Sequence, residues 1–151
     1  MFLYAVLKRE VMNFKYEQKP LAKLKADYSR RKKNGKDGFG SFESFNDWYK
    51  TLNKVCHYCG LTEAESQEIV MNSLLESNRF PQNGKSGRGK GRGRWLEVDR
   101  IKPKENYSAE NCVLACYFCN NDKSDVFEGN EYNKFQSNRV EYLKGLIEKQ
   151  K

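Results

Sequence analysis

Leu96-Glu97-Val98-Asp99-Arg100-Ile101, then Tyr107-Ser108-Ala109-Glu110-Asn111, then Cys112-Val113-Leu114-Ala115-Cys116-Tyr117-Phe118-Cys119-Asn120-Asn121-Asp122-Lys123, is the stretch that decides the fold. From Trp95 to Ile101 apolar and polar residues alternate, which predicts a short half-buried strand. Residues 102–110 are a polar turn containing Pro103, and Asn111 to Cys116 predicts a second short strand. A short helix is predicted around Asn120 to Phe127. Strand, turn, strand and helix in that order make a ββα unit. On it, Asp99 near the end of the first strand and Asn120 at the start of the helix are placed to converge. A carboxylate and an amide carbonyl are oxygen donors, which suit Mg²⁺ better than zinc and leave positions open for water and a phosphate oxygen.

Working outward, Cys56 and Cys59 form one Cys-x-x-Cys knuckle, and Cys116 and Cys119 form another. Four thiolates at about 2.3 Å satisfy tetrahedral zinc and leave it no open position, so the expected site is structural. The long separation between the pairs means that the metal ties distant parts of the chain together. Cys112 is the odd cysteine and is expected to be a small buried hydrophobe on the second strand. Met1 to Phe14 is apolar but is interrupted by Lys8, Arg9 and Glu10 and has no small-residue cleavage site, so no signal peptide is expected. A cytoplasmic chain is therefore expected, with its cysteines as metal ligands rather than disulfides.

The 151 residues carry 28 Lys and Arg against 20 Asp and Glu, a net charge of +8. That balance favours a polyanionic partner, nucleic acid before an anionic membrane surface. A hydrophobic content of 38% allows only a small core, which commonly needs a metal or an oligomer to support it. Leu21, Leu24 and Tyr28 predict a helix starting near Pro20, its other faces crowded with Lys23, Lys25, Arg30, Arg31, Lys32 and Lys33. Phe42, Phe45, Trp48, Tyr49 and Leu52 predict a second helix capped by Ser41, with the aromatics as core. Thr62 and Glu65 make a capping-box pattern before a helix carrying Ile69, Val70 and Leu74. Residues 81–94 are a glycine-alternating loop in which Lys85, Arg88, Lys90, Arg92 and Arg94 are candidate phosphate contacts. Val140, Leu143, Leu146 and Ile147 predict a helix from about Asn138 to Lys149 that either closes the core or forms a dimer seam.

Taken together, the order Cys-x-x-Cys, Val98-Asp99-Arg100-Ile101, Asn111, then Cys-x-x-Cys-Asn-x-x-Lys resembles the HNH, or ββα-metal, endonuclease family over residues 54–127. The resemblance implies an α+β fold: a ββα-metal (HNH) core with a four-cysteine zinc knuckle, flanked by helices. It implies a nuclease core over 54–127, and the charge and periodicity of the flanks predict a helical DNA-binding arm over 1–53 and a C-terminal helix over 128–151. The implied activity is Mg²⁺-dependent hydrolysis of DNA phosphodiesters, with Mn²⁺ as a substitute, in the manner of a type II restriction enzyme. A phage-type homing or nicking enzyme and a non-catalytic zinc-binding nucleic-acid adaptor are the alternatives. Asp99 and Asn120 would hold the Mg²⁺, Asn111 would brace the loop, and Cys56, Cys59, Cys116 and Cys119 would hold zinc. Double-stranded DNA and a second copy of the chain are the expected partners, one active site serving each strand.

The family's general-base histidine should follow Asp99, and Arg100 stands there instead. Arginine stays protonated and is no ordinary base, but it can hold a phosphate through bidentate contacts. The same exchange occurs in a restriction enzyme of the family, and the tyrosine proposed to act there matches Tyr107. A free phenol titrates near 10, so Tyr107 needs nearby cations to serve as nucleophile or base. That enzyme also has a cysteine-rich zinc site near its N-terminus. This chain has no cysteine before Cys56, so its DNA-reading half is expected to be built differently. Glu97 shares a strand face with Asp99 and is read as a metal-site support, an alternative base or an arginine's ion-pair partner. Lys123 is read as a phosphate contact or a solvated lysine. His57, the single histidine, is expected to shape its knuckle.

Overall fold

The computed structural model describes residues 14–81, 91–136 and 139–151, so Lys85, Arg88 and Lys90 lie outside the described residues. Its centre is a two-stranded antiparallel hairpin of β1 (Glu97–Arg100) and β2 (Cys112–Ala115), with Glu97 opposite Ala115 and Arg100 opposite Cys112. The strands are shorter than the sequence pattern suggested, because pairing stops where the polar turn begins. The helix that follows, Tyr117–Lys123, starts earlier and ends sooner than Asn120 to Phe127. Cys116 caps its first turn, its sulfur accepting the Cys119 N–H, and Ser124 ends it by turning to φ 51°. Numbered in chain order, this helix is α4.

Ahead of the hairpin come α1 (Leu21–Lys33), α2 (Phe42–Thr51) and α3 (Glu63–Met71). Pro20 precedes α1, and four cations crowd its last turn, where the helix dipole favours them. Ser41 caps α2 by accepting the Ser44 N–H, and Phe45 sits fully buried among Tyr28, Phe39, Phe42 and Trp48. Thr62 and Glu65 close a full capping box on α3, which stops at Met71 and leaves Leu74 beyond its end.

Past α4 come α5 (Gly129–Phe135) and α6 (Arg139–Glu148). Within the segment expected as one C-terminal helix over 128–151, α5 was not read as a separate helix, because its seven residues bury one aromatic, Tyr132, and show no period. Gly129 lets α5 start against the hairpin: its N–H donates to Ile101 O at 2.7 Å, and a Cβ there would meet Tyr58 Oη at 2.7 Å. α6 packs on α3 and buries Leu143 and Ile147, so that stripe closes the core. A single cluster joins Leu24 and Tyr28 of α1, Phe45 and Tyr49 of α2, Val98 and Leu114 of the hairpin, and Leu143 of α6. All three expected segments therefore contribute to one hydrophobic core. Among the described residues, no helix is long and apolar enough to cross a membrane.

Gly93 fixes where the basic loop rejoins the body. Its φ of 83° suits glycine, and a Cβ would lie 2.8 Å from Val70 Cγ2. Ser66 donates to Gly93 O at 2.9 Å and Gln67 to Arg94 O at 3.0 Å, so α3 holds this stretch against the front of β1.

Candidate active site and thiol cluster

The hairpin and two tight turns bring Cys56, Cys59, Cys116 and Cys119 together, their sulfurs all within 4.8 Å of one another. Cys59 and Cys116 sulfurs are 3.7 Å apart. Four sulfurs around zinc at about 2.3 Å have edges of about 3.8 Å, so the donor set fits a tetrahedral soft cation. The first knuckle turns at Gly60, φ 76°, whose N–H donates to Cys56 O. The His57 backbone N–H donates to Leu114 O at 2.8 Å and knits the knuckle to β2, while the residue itself is exposed. Crowding splits the thiols: mutual S–H bonding holds Cys56 and Cys119 below the usual thiol range, while Cys59 and Cys116 are pushed above it. Arg139 reaches from α6 to within 3.7 Å of the Cys119 sulfur and also pairs with Asp122 at 2.8 Å. Cys112 is buried apart from the cluster, where loss of solvent raises its thiol to about 12.

Strand alternation puts Glu97 and Asp99 on one face of β1, and one helical turn separates Asn120 from Lys123 on α4. The two elements meet as a ladder. On one rung Asn120 Nδ2 donates to Glu97 Oε2 at 2.7 Å. On the next, Lys123 Nζ donates to Asp99 Oδ1 at 3.2 Å. Asp99 and Asn120 thus sit on adjoining rungs, each bonded to another partner. Asp99 is buried and also accepts from Tyr58 Oη at 2.6 Å. Burial raises the Asp99 carboxyl above its ordinary value, against the pull of Tyr58 and Lys123.

Lys123 requires a correction. It is neither a phosphate contact nor solvated: it is wholly buried and donates also to Arg100 O at 2.9 Å and Ser124 O at 3.3 Å. Its stem packs inward because α4 lies directly on β1, so the ammonium closes the helix end and neutralises Asp99.

Glu97 is gripped from the other side by Arg92, whose Nε and Nη2 donate to its two oxygens at 2.9 and 2.6 Å. Holding Asn120 by its Nδ2 turns the amide oxygen away from Glu97. That oxygen and the Glu97 carboxylate are the oxygen donors on the cleft side, the kind a hard divalent cation takes, while the buried Asp99 is occupied by Tyr58 and Lys123 and does not line the cleft.

In front of Glu97 and Asn120 lies a cleft of about 660 Å³, bounded by α1, residues 91–95, β1 and Tyr107. Lys19, Lys23, Arg30, Arg31, Lys36, Arg92 and Arg94 line it against two acids, Asp27 and Glu97. Tyr107 is held by its backbone, its N–H donating to Lys36 O at 2.9 Å and its carbonyl accepting from Gly38 at 2.6 Å. The Arg31 and Arg100 guanidiniums lie 5.1 and 4.8 Å from its ring centre. Arg100 also donates to Glu105 O at 3.0 Å. Asn111 ties the turn together through Lys102 N, Lys102 O and Asn106 O. Arg94 pairs with Glu17 and stacks on Trp95. Sequence reasoning missed Tyr58 as the hydroxyl on Asp99, and it missed Asp27 and Arg31 as walls of the cleft. Each acts across a long stretch of chain, and no spacing rule signals such contacts.

A β-hairpin laid on a short helix, with polar side chains between them and a four-thiol cluster at the hinge, is similar to the architecture that the sequence's resemblance to the ββα-metal, or HNH, class leads one to expect. No family model and no curated protein matches the chain. Among solved structures it is similar to the rare-cutting HNH restriction endonuclease PacI. The likeness has a TM-score of 0.61 at 28% identity and covers 82% of this chain and 79% of that one.

Proposed function

We propose that this chain is a metal-dependent endonuclease that hydrolyses phosphodiester bonds of double-stranded DNA. The observation that carries the reading is the cleft, where Asn120, Glu97 and Tyr107 of a PacI-like ββα unit face seven cations. Zinc at the four cysteines staples the fold. Asp99 and Asn120 would hold Mg²⁺, with Mn²⁺ as a substitute, and the ion would supply charge stabilisation at the scissile phosphate and the leaving 3′ oxygen.

The chain's own residues supply the rest. Glu97 orients Asn120, and Arg92 orients Glu97. Arg100 holds the phosphate beside Tyr107, whose ring lies between the Arg31 and Arg100 guanidiniums. Tyr107 then works in one of two ways. As nucleophile its oxygen bonds to phosphorus while the P–O3′ bond breaks, and water later releases the tyrosine. As base it takes the proton of the attacking water. Both leave 5′-phosphate and 3′-hydroxyl ends, and only the first yields a trappable protein–DNA adduct. Cutting of both strands points to a homodimer and a restriction-like role, and nicking points to a monomeric homing-type enzyme. The burial of Asp99 against Tyr58 and Lys123 favours a second reading, a zinc-stapled DNA-binding adaptor.

Plasmid cleavage with Mg²⁺ by zinc-loaded wild type, Asn120→Ala and Tyr107→Phe separates them. The nuclease reading expects linear product from wild type and a loss of about a hundred-fold or more in Asn120→Ala. A dead Tyr107→Phe assigns the attack to tyrosine chemistry, and an active one returns it to water. A wild type that binds DNA but cuts none under varied metals leaves the adaptor.

A further inference from the structure

Among the described residues, five of the seven cleft cations are drawn to carboxylates, and exposed Lys36 and half-buried Arg31 are not. Lys19, Lys23 and Arg30 are all drawn to Asp27, at 2.9, 2.6 and 3.5 Å. Arg92 is committed to Glu97, and Arg94 to Glu17. Among the described residues no carboxylate pairs with Arg31, and its Nη1 is shut away from solvent without a hydrogen-bond partner. The guanidinium is nonetheless fixed, 5.5 Å from the Phe45 ring centre and 5.1 Å from that of Tyr107. A buried donor left unmet is destabilising, and it stands ready for an acceptor that the free protein does not supply. A planar cation held rigid between rings, unpaired, beside a tyrosine and facing a cleft is arranged for an oxyanion.

We propose that Arg31 of α1 binds a DNA phosphate at the Tyr107 end of the cleft, so that the N-terminal helix supplies a substrate contact to the ββα active site. Arg100 approaches the same ring from the hairpin, and the two guanidiniums form a clamp built from separate parts of the chain. The proposal rests on the nuclease reading for its substrate.

Two measurements on zinc-loaded protein test it. The first is single-turnover cleavage of plasmid and genomic DNA in Mg²⁺. The second is affinity for a fluorescein-labelled mixed-sequence duplex in Ca²⁺ as salt is varied. Arg31→Ala is expected to slow cleavage by about a hundred-fold and to lower the salt slope by about one unit. Arg31→Lys should keep the slope and regain only part of the rate, since an ammonium lacks the bidentate fork. Lys134→Ala, on an exposed lysine of α5 paired with Glu131, should match wild type in both. Zinc content and thermal unfolding are checked for each variant, and Arg31→Gln replaces the alanine variant if that fails to fold. An unchanged slope overturns the proposal whether or not the rate falls, because Arg31 would then act only through packing on Tyr107 and Phe45. If wild type binds the duplex but never cuts, the nuclease reading fails alone, and the slope still decides Arg31.

Discussion

Lys123 and Asp99 form an ion pair with almost no access to water, its donor reaching two backbone carbonyls as well. Removing one member of such a pair leaves the other charged and unmatched, which costs about 3–5 kcal/mol. Lys123→Met is therefore expected to lose stability on that scale in urea unfolding, and a change under 1 kcal/mol, the scale of an exposed pair, would show that the pair is solvated. Pairing of this kind lies beyond sequence reading. The order Val-Asp, Asn, Cys-Asn picks out Asp99, Asn111 and Asn120, because donor chemistry is written in residue type. Which oxygen meets which nitrogen depends on how far α4 slides along β1. That is why Glu97, and not Asp99, is bonded to Asn120, and why Tyr58 between two cysteines ends on a carboxylate.

At the scale of elements, α1 concentrates positive charge and carries its own counter-charge. Burial alone would push the Asp27 carboxyl up, but Lys19 and Lys23 outweigh it and hold the group below 3.8. A carboxylate whose folded value lies below its unfolded one adds stability above the unfolded value and loses it as pH falls through the folded one. Asp27→Asn should therefore flatten the acid limb of a stability–pH curve below about pH 4, and an unaltered limb would leave the ion pairs without weight. α2 and α3 were legible because side-chain caps mark their starts, and α1 and α6 because an apolar stripe marks the face each buries. α4 was misjudged at both ends because the thiol that caps it reads as a metal ligand. α5 was invisible because its anchors are Tyr58 and Ile101, which are remote in sequence.

Among the described residues the molecule has a main core, a smaller cluster of Val70, Phe80 and Tyr117, and four thiols at the point where α4 leaves the hairpin. Structural zinc in small peptides contributes about 10–16 kcal/mol, as much as the entire stability of an ordinary domain. Atomic absorption should find one zinc per chain, and a strong chelator should abolish cooperative thermal unfolding seen by circular dichroism. A chelated protein that still melts cooperatively at the same temperature would remove the staple from this account. The spacing of the knuckles also sets a tempo. Cys59 and Cys116 are remote along the chain, and bringing such ends together is the slow, entropically costly step of assembly. Zinc taken up by both knuckles would make the rate of refolding depend on how much free zinc surrounds the newly made chain.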